Sequence, residues 1–593
     1  MEEKIVVIDN GGQYCHLIAT KVRTKHNVYS EILPPNCSVD DVQGAKGIIL
    51  SGSPFSIYNE NKPDFNEKLF SLGIPVLGIC YGNYLVASTL GGKVVASEKK
   101  EYGLAKLLKK KDSVLLEGCG KEEIVWMSHG DKIVAIPKTF EILGSTENCE
   151  FAAIADEKKK IFGVQFHPEV VDTKKGDIIL GNFVHKICGC VGEWKISDYI
   201  AQKQIELKNE IGKKKVLLLV SGGVDSTVCA SLLSKVLARE QLFCLHIDNG
   251  LMRKNESAEV KEMLKEIKNF KVVDASKMFL DRLKEKYEPE EKRKIIGQTF
   301  IDVANKEIEN LGLDDWLLAQ GTIYPDTIES GGTKHADVIK THHNRVDIIK
   351  KMIEDKKIVE PVKDLYKEEV RDLGTALGLF ENFVWRHPFP GPGLGVRALC
   401  SVGKKEEFSV LKEKLNSLGL KYDFDVLPCR SVGVKGDERS YEHPAIISGV
   451  WDWKELEKAS TRVVNEVRGI NRAIYLLPGQ SINSMEPIKA YLTKERLDLL
   501  READAIVMGE IEKAGLMRKI WQFPTVLVPV NVNGKGEALI LRPVFSTIAM
   551  TAKFADLPLE VVESIKKKLL AIKGVGAVFY DITHKPPGTI EWE

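Results

Sequence analysis

The sequence predicts an α/β protein with two α/β domains in series, followed by an α+β region that occurs twice. Three observations carry this. Short apolar runs alternate with amphipathic stretches up to about residue 192, the same rhythm restarts after residue 197, and two similar helix–strand blocks fill the last third. The 593 residues, 44% of them hydrophobic, suffice for roughly three to four packed domains at ~150 residues each. Basic and acidic residues, 85 and 84, are mixed along the chain. The net charge of +1 leaves no basic footprint for nucleic acid. Eleven cysteines at irregular spacing fit a reducing compartment better than a disulfide framework. Cys188 and Cys190 are too close together to suggest a structural zinc site. Acidic residues stand at the N-terminus where a signal peptide would be positive, and no apolar run approaches ~18 residues. The expectation is a soluble, cytoplasmic (cytosol) protein with no nucleic-acid or membrane partner.

The first domain, residues 1–192, has candidate strands at Ile5–Ile8, Gly47–Leu50, Ile74–Ile79 and Ile161–Phe166. In PVLGICYGNYLVASTLGG, Cys80 falls between a buried strand and a helix, where the helix dipole favours thiolate. A cysteine at such a place is more often a small core residue. FGVQFHPEV shifts the balance: His167 and Glu169 flank Pro168, and residues two apart in extended chain share a face. Nucleophile, base and orienting carboxylate are then all present.

G-I-C-Y-G with F-H-P-E resembles the signature of class I glutamine amidotransferases. That resemblance implies catalysis by Cys80, His167 and Glu169, with Gly52 of ILSGSP and the backbone N–H of Tyr81 as oxyanion-hole donors. Glu101–Gly103 and Trp126–Asp131 resemble further segments of that domain. Ser53 stands where the family has a second glycine, and Asn83 and Tyr84 replace Met-Gln, which bears on glutamine recognition.

A polar helical stretch, DYIAQKQIELKNEIGKKK, should form an ordered linker into the second domain, residues 197–397. There VLLLV-SGGVDST-VCASLLSKVL reads as buried strand, tight loop and helix. Such a loop turns backbone N–H groups, hydroxyls and a helix N-terminus toward one anion. Gly222 and Gly223 admit close approach of the backbone. No lysine follows them, so this is not the G-x-x-x-x-G-K-[ST] loop. It resembles the S-G-G-x-D-S loop of ATP pyrophosphatases (adenine-nucleotide alpha-hydrolase-like domains). By that resemblance Ser221, Gly222, Gly223, Val224, Asp225 and Ser226 bind ATP through its pyrophosphate. Two roles fit Asp225, positioning Mg²⁺ or hydrogen-bonding the loop backbone.

Asp248-Asn249-Gly250 ends a second buried run and is a candidate adenosine grip, though the same turn also marks hairpins. EEKRKIIGQTFI, LAQGTIYPDTIESG and VIKTHHN follow. Adjacent rings cannot share a helix face, so His342 and His343 make a poor metal site. With EPVKDLYKEEVR and RHPFPGPGLGVR (Arg386–Arg397), these segments resemble the GMP synthetases over essentially the whole chain. The resemblance implies that IYPDTIES through KTHHN is a lid and that Arg293 meets the XMP phosphate.

The third region, residues 398–593, contains two copies of one unit, about 404–478 and 492–593. Gly469–Tyr475 aligns with Gly574–Tyr580 without a gap. Two copies in one chain can form internally the pair that shorter relatives form between subunits, so a monomer with an internal pseudo-dimer is expected. The form resembles the longer, animal-type members. A frayed tail is the default for KPPGTIEWE, but the resemblance has it fold back, which assigns Lys585 and Glu591, with Asp437 and Gln522, to XMP. Gly536 and Glu537 of the second copy stand where the first has Gly436 and Asp437, so one copy alone is expected to keep that role.

The reaction implied is glutamine-dependent amination of XMP to GMP through an adenyl-XMP intermediate, with ATP as co-substrate and Mg²⁺. Another adenylating amidotransferase, such as one making NAD, is the enzymatic rival, which the tail argues against. A regulatory protein with a decayed glutaminase, suggested by Ser53 and Tyr84, is the other.

Overall fold

Gly47–Leu50 and Val76–Ile79 offer water no polar face, so they form the centre of a sheet covered on both sides. This computed structural model describes the chain except residues 1–2, 13, 60–61, 171, 313–315, 324–356, 436–437 and 547–551, and except the side chains of 97–100, 102, 435 and 438–439. The lid segment with His342 and His343 therefore lies outside the described residues, apart from Ile323, and so does Asp437.

Two compact units are present. One gathers residues up to Lys203 with the segment Val362–Ala376, the other Gln204–Gly321 and Leu377–Glu593. The first is built on nine strands in the order Tyr29–Leu33, Lys4–Ile8, Gly47–Leu50, Val76–Ile79, Ile161–Val164, Ala153–Asp156, Glu141–Ser145, Lys93–Lys109 and Glu122–Ala135. The first five are parallel and the rest antiparallel. The expected strands all lie in the parallel half. The antiparallel half goes unread in the sequence because its long strands, KVVASEKKEYGLAKLLK and EEIVWMSHGDKIVA, mix polar and apolar residues without a steady two-residue period. Val362–Ala376, which chain order groups with residues 197–397, packs in this unit on the helix Cys15–His26. Arg23 donates to both carboxylate oxygens of Glu369, at 2.7 and 3.1 Å, with both side chains buried.

The second unit contains a parallel sheet in the order Phe270–Asp274, Leu242–Asp248, Val216–Leu219, Leu317–Ala319 and Ile358–Val359. Chain order reverses at Val216–Leu219, so the loop leaving that strand lies at the topological switch point, where such sheets bind ligands. Asp248-Asn249-Gly250 ends a strand that is parallel to both neighbours, which removes the hairpin reading.

An eight-stranded sheet follows. Asp423–Val426 pairs antiparallel with Glu438–Ser448, which runs parallel to Ile470–Leu476 across the helix Trp453–Glu466. Thr525–Val532, Gly536–Leu541 and Gly574–Asp581, with the helix Leu559–Leu570, have the same order and senses. The two runs meet where Ile470–Leu476 and Gly574–Asp581 pair antiparallel, with Tyr475 opposite Tyr580.

The tail packs against this sheet rather than fraying. Trp592 is buried and donates from Nε1 to Asp581, 2.9 Å away. Arg472 and Arg542 donate to the same carboxylate at 2.9 and 3.2 Å, and all three side chains are fully buried. Burial draws the Arg472 guanidinium down to about 10, with Asp581 opposing the shift. Removing the shared carboxylate leaves two buried cations unpaired, so Asp581→Asn should cost about 3–5 kcal/mol in urea unfolding. Trp592 fluorescence should shift toward that of exposed indole. An unchanged unfolding midpoint would rule out this role.

Candidate active sites

In the first unit, the turn after Val76–Ile79 leads into the helix Tyr81–Thr89 with Cys80 in a left-handed conformation, φ 54° and ψ −103°. A Cβ-bearing residue holds such a backbone only where its surroundings over-determine it. Close approach supplies the constraint, because a Cβ on Gly82 would lie 2.3 Å from the Leu50 carbonyl oxygen. Cys80 N donates to the Val164 carbonyl at 2.8 Å, and its Sγ lies 3.4 Å from the Ser128 carbonyl oxygen.

His167 follows the strand Ile161–Val164, and its Nδ1 lies 2.6 Å from Oε1 of the fully buried Glu169. The Cys80 thiol is the imidazole's other polar neighbour. Burial alone would lower its basicity, but Glu169 and Cys80 outweigh burial and raise it to about 10. Gly52 sits beside both groups, since a Cβ there would be 3.3 Å from His167 Cε1 and 3.7 Å from the Cys80 Cβ. The structure thus brings Cys80, His167, Glu169, Gly52 and Tyr81 together. Two further neighbours stand at the site: Tyr14, edge-on to His167 with ring centroids 5.2 Å apart and without a signal in the sequence, and the carbonyl of Ser128, within the Trp126–Asp131 segment.

The unusual residues make structural contacts. Tyr84 donates to the Asp131 carbonyl at 2.6 Å, Asn83 to Gln165 at 3.3 Å, and Ser53 Oγ accepts from Phe55 N at 3.3 Å. Tyr84 therefore ties the nucleophile's helix to the strand Glu122–Ala135.

In the second unit, Ser221–Ser226 form a self-bonded loop. Ser221 N donates to Ser226 Oγ at 3.2 Å, Gly223 N to Ser221 Oγ at 3.3 Å, and Ser226 Oγ to the Gly223 carbonyl at 3.1 Å. Gly222 has φ +87°, and the helix Val224–Val236 begins directly after Gly223. Ser221 and Gly223 are exposed, leaving the N-terminal turn open to an anion.

The remaining residues assigned from sequence lie elsewhere in this unit. Glu591 accepts from Gln522 Nε2 at 2.7 Å and from Arg397 Nη2 and Nε at 2.8 and 3.1 Å. Arg293 donates to the Glu593 carbonyl. Lys292, its neighbour on the helix Pro289–Leu311, binds the Glu593 carboxylate and donates to the Gly395 carbonyl at 3.0 Å. Lys585 exchanges backbone hydrogen bonds with Ala552. Lys292 and Arg397 stand in the sequence only within longer motifs, and no local pattern marks them as partners of the tail. Glu537 is engaged by Arg496 at 2.6 Å.

Mg²⁺ prefers oxygen donors and usually takes one or two carboxylates plus substrate phosphates. Asp225, at the first turn of the helix after the loop, fits that pattern. Among the described residues, three potential ligands converge at Asp9, Cys15 and His16, whose ligand atoms lie within 4.8 Å of one another. Thiol and imidazole suit Mg²⁺ poorly. Among the described residues no helix is long and apolar enough to cross a membrane.

Comparison with known proteins covers both units. The family "Glutamine amidotransferase class-I" matches residues 6–187, "NAD synthase" residues 195–299, and "GMP synthase C terminal domain" residues 509–592. A probable glutamine-hydrolysing GMP synthase of Leptospira interrogans is 44% identical over 607 residues, covering all of both chains. A GMP synthase of Syntrophomonas wolfei is 41% identical over 604 residues, again covering all of both. One of Natranaerobius thermophilus is 43% identical over 500 residues, or 80% of this chain and 97% of that one. These relatives are bacterial, and two match along the full length, so they lend no support to the animal-type reading. Chain length is a poor guide to it.

The His167–Glu169 contact carries a pH signature. Its imidazole titrates near 10 against ~6.5 for a free histidine. A raised folded-state value stabilises fully below ~6.5, and the contribution is lost as pH rises through about 10. Urea unfolding should therefore show Glu169→Gln less stable than wild type at pH 6.5, with the gap closing toward pH 10. A gap that widens with pH would contradict the assignment.

Proposed function

The chain belongs to the glutamine-hydrolysing GMP synthases and aminates XMP to GMP with glutamine as donor, and from that premise we propose how its residues divide the chemistry. Cys80 thiolate adds to the glutamine carboxamide, and the Gly52 and Tyr81 N–H groups meet the oxyanion. His167 protonates the departing ammonia and then takes a proton from the water that hydrolyses the thioester, while Glu169 orients it. The observation that carries this half is the 2.6 Å His167–Glu169 contact beside Cys80.

In the other half the 2-oxygen of XMP attacks the α-phosphorus of ATP, expelling pyrophosphate into Ser221–Ser226. Ammonia then displaces AMP from C2 of the adenyl-XMP intermediate. Without adenylation the leaving group would be a carbonyl oxygen, which is far worse. Asp225 would hold Mg²⁺ with the phosphates, where the ion supplies charge neutralisation. Arg293, Asp437, Gln522, Lys585 and Glu591 bind XMP.

Domain limits of 1–192, 197–397 and 398–593 are part of this reading, as is a cytosolic location. So is an origin of the last region by duplication, giving a monomer through an internal pseudo-dimer. In support, the gapless alignment equates Tyr475 with Tyr580, and those residues lie opposite each other, as a two-fold axis through the junction requires. The strand registers correct one detail of that alignment: His443 pairs with Ile470 where Glu537 pairs with Val575, so Glu537 is the counterpart of His443 and not of Asp437. Mass by light scattering at twice that of one chain would refute the monomer.

Cys80→Ala should lower glutamine-dependent GMP formation by at least about a thousandfold and leave ammonium-dependent formation intact. Retained glutamine-dependent activity would eliminate Cys80 as nucleophile. The NAD synthase match at 195–299 keeps one alternative in view. AMP release elicited by nicotinic acid adenine dinucleotide rather than XMP would favour it. Gly222→Ala should raise KM for ATP about tenfold or more, because φ +87° strains any residue with a Cβ. An unchanged KM would remove the loop from the ATP site.

A further inference from the structure

The Glu591 carboxylate is held from one side by two residues of the second unit. Arg397 forks onto it, Nη2 to Oε1 at 2.8 Å and Nε to Oε2 at 3.1 Å, and Gln522 Nε2 adds a second donor to Oε1 at 2.7 Å. A carboxylate offers about four lone-pair sites, two per oxygen. Among the described partners Oε1 is saturated, while Oε2 keeps one site for another donor. The Glu591 side chain is 18% exposed and that of Arg397 only 1%, so the carboxylate reaches solvent and its holder does not.

Arg397 is itself anchored. Its N donates to the Leu394 carbonyl at 3.0 Å, and its carbonyl accepts from Leu527 N at 2.8 Å, fixing its backbone to the strand Thr525–Val532. Its guanidinium lies over the Phe389 ring, 4.9 Å from the centroid, and Arg253 lies over the same ring at 4.2 Å. The aromatic face lets two like charges share a buried pocket. Asp504, 3.9 Å from Arg253, with Glu256 and Glu259, 3.1 and 3.8 Å from Arg386, bring the cluster to three cations and four carboxylates including Glu591. Burial opposes the Arg397 charge, and Glu591 more than restores it.

We infer that Arg397 is a positioning residue for the acceptor nucleotide, acting through Glu591. By saturating Oε1 and aiming Oε2, it makes the site one for a ligand that presents an N–H or O–H donor there. This rests on the proposed role of Glu591 in XMP binding. A lysine at 397 would keep the charge but could not reproduce the two parallel bonds.

The test uses the full chain in ammonium-dependent GMP formation, titrating XMP and ATP separately, with glutamine hydrolysis by the same samples as a second readout. Arg397→Lys should raise KM for XMP about ten- to a hundredfold, with kcat, KM for ATP and glutamine hydrolysis little changed. Phe389→Leu loosens the guanidinium without touching Glu591, and should raise KM for XMP severalfold. It gives an answer even if the arginine variant folds poorly. Glu591→Gln separates the two layers. If it raises KM for XMP while Arg397→Lys and Phe389→Leu do not, the positioning role is wrong. If Glu591→Gln leaves KM for XMP unchanged, the acceptor assignment itself fails and the inference falls with it. A parallel fall in kcat and in affinity for both nucleotides would mark Arg397 as merely structural and overturn it.

Discussion

A parallel strand buried on both faces must leave its sheet through a short turn, and both candidate sites depend on that constraint. At Gly222 the turn takes φ +87° on a residue with no Cβ, so the left-handed backbone is unstrained. At Cys80 the same kind of turn takes φ 54° on a residue that does have one, at about 1–3 kcal/mol. The strain is sustained because the helix behind Cys80 packs backbone to backbone against Gly47–Leu50 at Gly82. One geometry thus sets a nucleophile beside its base in the first unit and opens an anion-binding turn in the second.

What can be read in the sequence follows from this. The strand–turn–helix junctions have local signatures, namely an apolar run, small residues and a helical period, and these place Cys80 and Ser221–Ser226 from the sequence alone. His167 and Glu169 are legible because residues two apart in extended chain share a face. The antiparallel strands beyond Ile161–Val164 are not, since Lys93–Lys109 and Glu122–Ala135 mix polar and apolar residues with no steady two-residue period. The Arg23–Glu369 and Arg397–Glu591 pairs are also invisible, because a contact between distant residues leaves no period or spacing in either segment.

The interior of the second unit holds charged groups in clusters. Asp581 takes two guanidiniums, and Glu591 takes a guanidinium and an amide. Buried ion pairs are weak evidence for stability, since apolar residues of the same volume often do as well. They are specific, however, because a carboxylate that turns away leaves a cation stranded. The clusters are therefore better understood as fixing the direction of particular carboxylates than as holding the sheet together.

The tail shows why that direction has to be enforced. Burying one indole, Trp592, stabilises by about 4–6 kcal/mol at ~25 cal/mol per Å² over ~150–250 Å². Ordering the twelve residues after the last strand, 582–593, costs at least about 10 kcal/mol in backbone entropy. Apolar burial alone would leave the segment frayed. The difference is met by charge-assisted bonds, each worth about 1.5–3 kcal/mol. Arg472 donates to the Thr589 and Glu591 carbonyls, Arg397 forks onto the Glu591 side chain, and Lys292 and Arg293 hold Glu593. The same bonds that dock the segment also orient Glu591, so a tail anchored by apolar packing alone would be neither ordered nor aimed.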